Sequence, residues 1–150
     1  MKEELRVRKI KDGTVIDHIK AGKGKKVLDI LGIENGFTNV TALLMNVPSK
    51  RVGRKDIVKI ENKALKKGEV DKIALIAPNA SWNVVKDYKV VKKSRIELPN
   101  ELEGILKCPN PKCVTNMNEP VKSKFKVEEK EPVKLRCHYC ERLIDLKDVL

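Results

Sequence analysis

The chain has 150 residues, of which 41% are hydrophobic and only 3% aromatic, and it carries a formal charge of +12. That length holds one ordinary domain or two small ones, with a core built from Val, Ile and Leu. No apolar run approaches the roughly 20 residues that span a bilayer, which excludes a membrane-spanning helix and leaves an anionic partner as the inference from charge: nucleic acid, nucleotide or an acidic protein face.

In chain order, "LRVRKI" (5–10) alternates apolar and basic residues, the period of a half-exposed strand. After the "KDG" turn, "GTVIDHI" (13–19) is a second short extended piece and carries an adjacent Asp17–His18 pair. "AGKGKK" (21–26) is glycine-rich and basic, yet it has neither phosphate-loop nor dinucleotide-loop spacing. It reads as a turn and the exposed first turn of a helix. "GKKVLDILG" (24–32) places Val27, Leu28, Ile30 and Leu31 on one helical face and stops at Gly32.

"NVTALLMNV" (39–47) is a strand expected to end at Pro48, and "GRKDIVKIE" (53–61) alternates as a strand does. "KGEVDKIALIAP" (67–78) has helical spacing. "ASWNVVKD" and "YKVVKKSRI" form two more strands, a hairpin across Lys86-Asp87. The order is the split βαββαβ pattern with an extra strand. The expectation is therefore an α+β unit with a ferredoxin-like antiparallel sheet and two helices on one face.

"SRIELPNELEGIL" (94–106) reads as a connector, with a boundary near residue 98 and domains over 1–97 and 98–150. The second domain is too small to rely on its core alone. "PVKSKFKVEEKEPVKLRC" (120–137) reads as two strands joined by an acidic turn, giving a small all-β unit. All four cysteines fall here: Cys108 and Cys113 flank "PNPK", and Cys137 and Cys140 flank "HY".

The N-terminus "MKEELRVRK" is charged from its second residue and lacks a signal-type apolar segment, so a cytoplasmic location is expected. In a reducing compartment such paired cysteines are metal ligands before they are disulfides. Thiolates in two short loops complete a tetrahedral shell, and the expectation is one structural Zn²⁺ per chain held by Cys108, Cys113, Cys137 and Cys140. Four thiolates leave no open position for water or substrate, which argues against a catalytic metal. His138, inside the second pair, reads as an exposed loop residue.

The aromatic residues are too dispersed to make a stacking platform for single strands. No nucleophile–base–orienter set can be assembled from the two histidines, His18 and His138, so no catalytic residue is assigned. The absence of glutamine and the wealth of Lys, Glu, Ile and Val fit a thermophile-like composition.

With both halves in view, the sequence resembles the regulatory chain of aspartate carbamoyltransferase over almost its full length. The resemblance rests on "GTVIDHI", "NVPSKRVGRKDIVKIEN" (46–62), "VDKIALIAPNASWNVVKDYKVVKKSR" (70–95) and "CPNPKC…EPV…LRCHYCE". It implies a non-catalytic subunit in pyrimidine biosynthesis. Its N-terminal domain would bind nucleoside triphosphates, CTP and ATP with UTP as a further candidate. Its zinc domain would dock on the catalytic chain, and N-terminal domains would pair into a regulatory homodimer.

Carried over by position, the resemblance implies a nucleotide site of Val7, Arg8, Lys9, Ile10, Asp17 and His18 on one side. Lys55, Lys59, Asn83, Val85, Tyr88, Val90 and Lys93 would line the other. Lys93 and His18 would face the phosphates, Asp17 the ribose hydroxyls, and Lys59 the base or ribose. Arg8-Lys9 stands where familiar members carry Glu-Ala, which makes that stretch more basic. The alternative reading, from the charge and the cysteine framework, is a zinc-ribbon nucleic-acid-binding protein.

Overall fold

The computed structural model describes residues 9–33, 36–51, 53–118 and 121–149. The chain divides into two compact units, Met1–Glu97 and Leu98–Leu150.

The first unit is an antiparallel sheet with two helices. Its strands are β1 (Gly13–Lys20), β2 (Thr41–Ser49), β3 (Gly53–Glu61), β4 (Ser81–Lys86) and β5 (Lys89–Arg95), and its helices are α1 (Gly24–Ile30) and α2 (Lys67–Ile76). The sheet order is β2-β3-β1-β4-β5, all neighbours antiparallel. This is the ferredoxin-like arrangement with β5 added as an edge strand. The core combines Ile16, Ile19, Val58 and Ile60 of the sheet with Val27 and Leu31 from α1 and its C-cap and Ile73, Ala74 and Leu75 of α2.

Two glycines are required by close approach. At Gly13, with φ +147°, a Cβ would lie 2.2 Å from the Ile60 carbonyl oxygen across the β1–β3 pair. At Gly24 it would meet Leu43 at 2.7 Å and Asp56 at 3.0 Å. The second contact explains "AGKGKK". Asp56, fully buried, accepts through Oδ2 from the Gly22 and Gly24 backbone N–H groups at 3.0 and 2.9 Å. Its Oδ1 accepts from the Asn46 N–H at 2.8 Å. The glycine-rich turn does hold an anion, and the anion is the protein's own carboxylate.

The structure departs from the sequence reading at the end of β2, in the connector, at the β4–β5 turn, which falls at Asp87-Tyr88 instead of Lys86-Asp87, and in the second unit, where Leu143–Asp145 adds a strand. β2 runs through Pro48 to Ser49, because β2 is an edge strand and a missing N–H costs no ladder bond there. Within the stretch read as a connector, Glu101–Glu103 forms a strand, β6, paired with residues 124–126 of the second unit. The strand expected over 5–10 falls mainly outside the described residues, and Lys9 and Ile10 precede β1 without strand structure.

The second unit is a four-stranded antiparallel sheet, order β6-β7-β8-β9, with β7 at Lys124–Lys130, β8 at Val133–Cys137 and β9 at Leu143–Asp145. Phe125, Leu102, Leu135 and Ile144 make its small core.

Asp56→Ala would strand three buried or part-buried N–H donors at once. The expected loss is on the order of 3 kcal/mol, read as a lower denaturant midpoint for the first unit. Asp56→Asn should recover only part of it, because one amide nitrogen then faces an N–H donor. Equal stability of both variants and the wild type would refute this role.

Candidate functional site

The first unit's site is built on a local irregularity. Ile16 pairs with Val58 and Ile19 with Asp56, so Asp17 and His18 together face the single residue Ile57. This is a β-bulge, a device that re-aims side chains. His18 takes φ +58°, a left-handed conformation uncommon for a non-glycine residue. Its backbone N–H donates to Asp17 Oδ1 at 2.6 Å, and its Nδ1 lies 3.1 Å from Ser81 Oγ. The Asp17 carboxylate is held by Lys55 Nζ at 3.0 Å.

From the bulge, a cavity of about 400 Å³ extends over the sheet. Register explains its lining, since directly paired residues point to the same face. Val15 stands opposite both Lys59 and Asn83, Asn83 opposite Lys93, and Val85 opposite Val90. The neighbouring position on β3, Asp56, points instead to α1, so the cavity occupies the face away from that helix. Tyr88, at the β4–β5 turn with Asp87, has φ +65° and its neighbour +50°, the geometry of a type I′ hairpin turn.

The lining brings together Lys9, Ile10, Asp17, His18, Lys59, Asn83, Val85, Tyr88, Val90 and Lys93 of the residues named from sequence. Lys55 joins through its ion pair with Asp17. Val7 and Arg8 lie outside the described residues. Sequence reasoning missed Val15 and Ile57, which join Ile10, Val85 and Val90 in the apolar part of the cavity. Each lies two residues from a named one (Asp17 and Lys59), and the period-two rule would have found both.

The electrostatics suit an anion. Burial holds the His18 imidazole below its ordinary value; Asp17 opposes this, while Lys55, Arg51 and Lys93 add to it. Among the described residues Lys59 and Lys93 have no ion-pair partner. Residues 1–97 hold 23 Lys and Arg against 12 Asp and Glu, a net of +11, whereas residues 98–150 hold 10 against 9, a net of +1. The positive excess of the chain belongs to the unit with the cavity.

The second unit's site is a closed set of thiols. The Sγ atoms of Cys108, Cys113, Cys137 and Cys140 all lie within 4.8 Å of one another. Cys108–Cys140 is 3.8 Å and Cys113–Cys137 3.7 Å, too long for disulfides. A tetrahedral ion with metal–sulfur bonds of ~2.3 Å sets its ligands about 3.8 Å apart, so the residues fit such an ion. The knuckles are pre-shaped: Asn116 Nδ2 donates to the carbonyls of Cys108 and Asn110 at 2.8 and 2.7 Å. In the second knuckle the Glu141 N–H donates to the Cys137 carbonyl at 3.0 Å. Burial pushes the Cys108 thiol up to about 12. At Cys140 burial is outweighed by hydrogen bonds from the Arg142 backbone and the Asn110 side chain, which bring it down to about 7. His138 is exposed and outside the cluster.

A cation-lined cavity in one unit and four thiols at the spacing of a tetrahedral metal shell in the other define a two-unit protein whose second unit is a metal-binding one. Residues 5–97 match the family model for the aspartate carbamoyltransferase regulatory chain, allosteric domain, and residues 100–150 match its metal binding domain. Relatives named aspartate carbamoyltransferase regulatory chain are 54% identical in Thermococcus gammatolerans (98% of this chain, 97% of that protein) and 56% in Methanothermobacter thermautotrophicus (97% and 93%). The Thermoplasma acidophilum protein of the same name is 46% identical, with 99% of each chain covered. The chain belongs to the aspartate carbamoyltransferase regulatory chain family and is a non-catalytic subunit of that pyrimidine-pathway enzyme. Among the described residues no helix is long and apolar enough to cross a membrane.

Chelation of the bound metal should unfold the second unit and leave the first folded, since metal binding is coupled to folding in a unit whose core is too small to hold it alone. Hydrogen exchange resolved by unit checks this: protection should vanish at β7 and β8 and persist at β1 and β3. Retained protection across 124–137 would refute it.

Proposed function

We propose that the cavity of the first unit binds nucleoside triphosphate effectors, CTP and ATP with UTP as a further candidate, and that binding modulates the catalytic chain. The observation that carries this reading is the lining: one carboxylate, Asp17, set among Lys9, Lys59, Lys93 and His18. A lone acid beside an apolar floor suits ribose hydroxyls, and the cations suit a polyphosphate bearing about four negative charges. The volume falls within the range of small-ligand pockets.

In the second unit we infer that the ion is zinc, a reading supported by four thiols at tetrahedral spacing, a donor set that suits zinc or iron and not hard cations. That unit is the docking module for the catalytic chain in a cytoplasmic assembly. The edge strands β2 and β5 expose Val40 beside β2, Met45 and Val91, surfaces suited to pairing between regulatory chains. The alternative of a zinc-ribbon nucleic-acid-binding protein loses its support, since the metal unit carries a net of only +1.

The test is to mix the full chain with an aspartate carbamoyltransferase catalytic trimer, with and without zinc, and to titrate CTP and ATP against the carbamoyl-transfer rate. A zinc-dependent complex with nucleotide-dependent rates is expected. No complex, together with salt-sensitive RNA or DNA binding, would overturn the reading. Lys93→Ala should weaken triphosphate binding at least ~10-fold and leave zinc content unchanged, whereas Cys113→Ser should do the reverse.

Binding should also depend on pH. The free-state pKa of His18 lies below 6.5, and a neighbouring phosphate would raise it, so binding takes up a proton. Affinity therefore rises as pH falls through the histidine range and levels off below the free-state value. The difference between wild type and His18→Gln isolates this from protonation of the phosphate itself. Parallel profiles for the two would refute it.

A further inference from the structure

We propose that Arg51 is a further phosphate-contacting residue, standing beyond the His18 end of the cavity so that effector affinity follows phosphate number. The inference rests on the nucleotide reading above and names a residue of that site which neither the site residues carried over from the resemblance nor the cavity lining includes.

Arg51 is an exposed residue of the β2–β3 turn. Its Nη2 donates to the Asn79 carbonyl at 3.4 Å, a long bond on the surface that tethers the guanidinium loosely beside the start of β4. Two residues further on, Ser81 Oγ meets His18 Nδ1 at 3.1 Å. Lys55, four residues along from Arg51, is ion-paired to Asp17, the partner of the His18 backbone N–H. Asn79, Ser81, His18, Asp17 and Lys55 therefore place the guanidinium on the imidazole side of the cavity. The charge reaches the ring: Arg51 stands beside Lys55 and Lys93 among the cations that disfavour its protonation.

No carboxylate among the described residues pairs with Arg51. A planar fork of N–H donors whose only side-chain bond is to a surface carbonyl can exchange that carbonyl for two phosphate oxygens at little cost. Its position outside the lining sets the length dependence. A monophosphate held by His18 and Lys93 stops at the rim, and only a longer phosphate chain extends past His18 to the guanidinium.

Calorimetry on the full zinc-loaded chain tests this with AMP, ADP, ATP and inorganic tripolyphosphate as probes. Arg51→Ala should weaken ATP and tripolyphosphate binding about fivefold and leave AMP within about twofold, with Arg51→Lys in between. Arg51 is exposed, so thermal unfolding should be unchanged, and a lowered midpoint would count against a purely ligand-facing role. Equal losses for AMP and ATP, or ATP affinity that ignores the substitution, would overturn the assignment and leave the nucleotide reading standing. Arg51-dependent tripolyphosphate binding with no binding of ATP or AMP would keep the assignment and sink the nucleotide reading. Failure to bind any probe would overturn both.

Discussion

The first unit is organised around one buried carboxylate. Asp56 sits at the middle of β3 and accepts from three backbone N–H groups on two other segments: the turn after β1 and the bulge in β2. β3 meets bulges on both sides at adjacent residues. The β2 bulge doubles Met45 and Asn46 against Asp56, and the β1 bulge doubles Asp17 and His18 against Ile57. Each places a non-glycine residue at positive φ, Asn46 at +61° and His18 at +58°. Each frees a backbone N–H, and each N–H is taken by a carboxylate, from Asp56 in one case and from Asp17 in the other. The strain of two bulges is tolerated because their broken ladder bonds are replaced by charge-assisted ones.

This constraint also separates the two faces of the sheet. Successive residues of β3 point opposite ways, so Asp56 fastens α1 to one face while Lys55 reaches Asp17 on the other. Lys55, Asp56, Ile57 and Val58 are buried in succession, a run that a one-sided sheet would not show. The helix-bearing face is closed by Ile16, Val58 and Ile60, and the cavity-bearing face keeps lysines around an apolar floor of Val15 and Ile57.

What sequence made legible follows from the range of the interactions. The helices, the β4–β5 hairpin and the cysteine knuckles are local, and periodicity or spacing marks them directly. The bulges were hidden, because a doubled residue breaks the alternation that identifies a strand, and Asp17 and His18 therefore read as a bare pair. β6 was hidden because three residues, "ELE", carry no period of their own and become a strand only by pairing with β7. The glycines of "AGKGKK" read as a turn leading into a helix, and that is what they form. Their hold on an anion was hidden, because the carboxylate stands 32 residues further along the chain in Asp56. The named cavity residues came from resemblance, while Val15 and Ile57 follow from strand alternation, each two residues from a named one.

The partition of charge ties these features to regulation. A net of +11 in the first unit against +1 in the second means that like-charge repulsion is concentrated where Lys9, Lys59 and Lys93 converge on the cavity. Among the described residues that line the cavity Asp17 is the one carboxylate, and it is engaged by Lys55 and the His18 N–H. A polyanion bound among the lysines, as proposed above, would relieve that repulsion, and ligand binding would then be linked to the stability of the bulged sheet. An effector can shift a conformational equilibrium only by binding its states differently. The bulge at His18, held by one hydroxyl and one carboxylate beside the site of charge neutralisation, is the element whose geometry such a ligand would bias first.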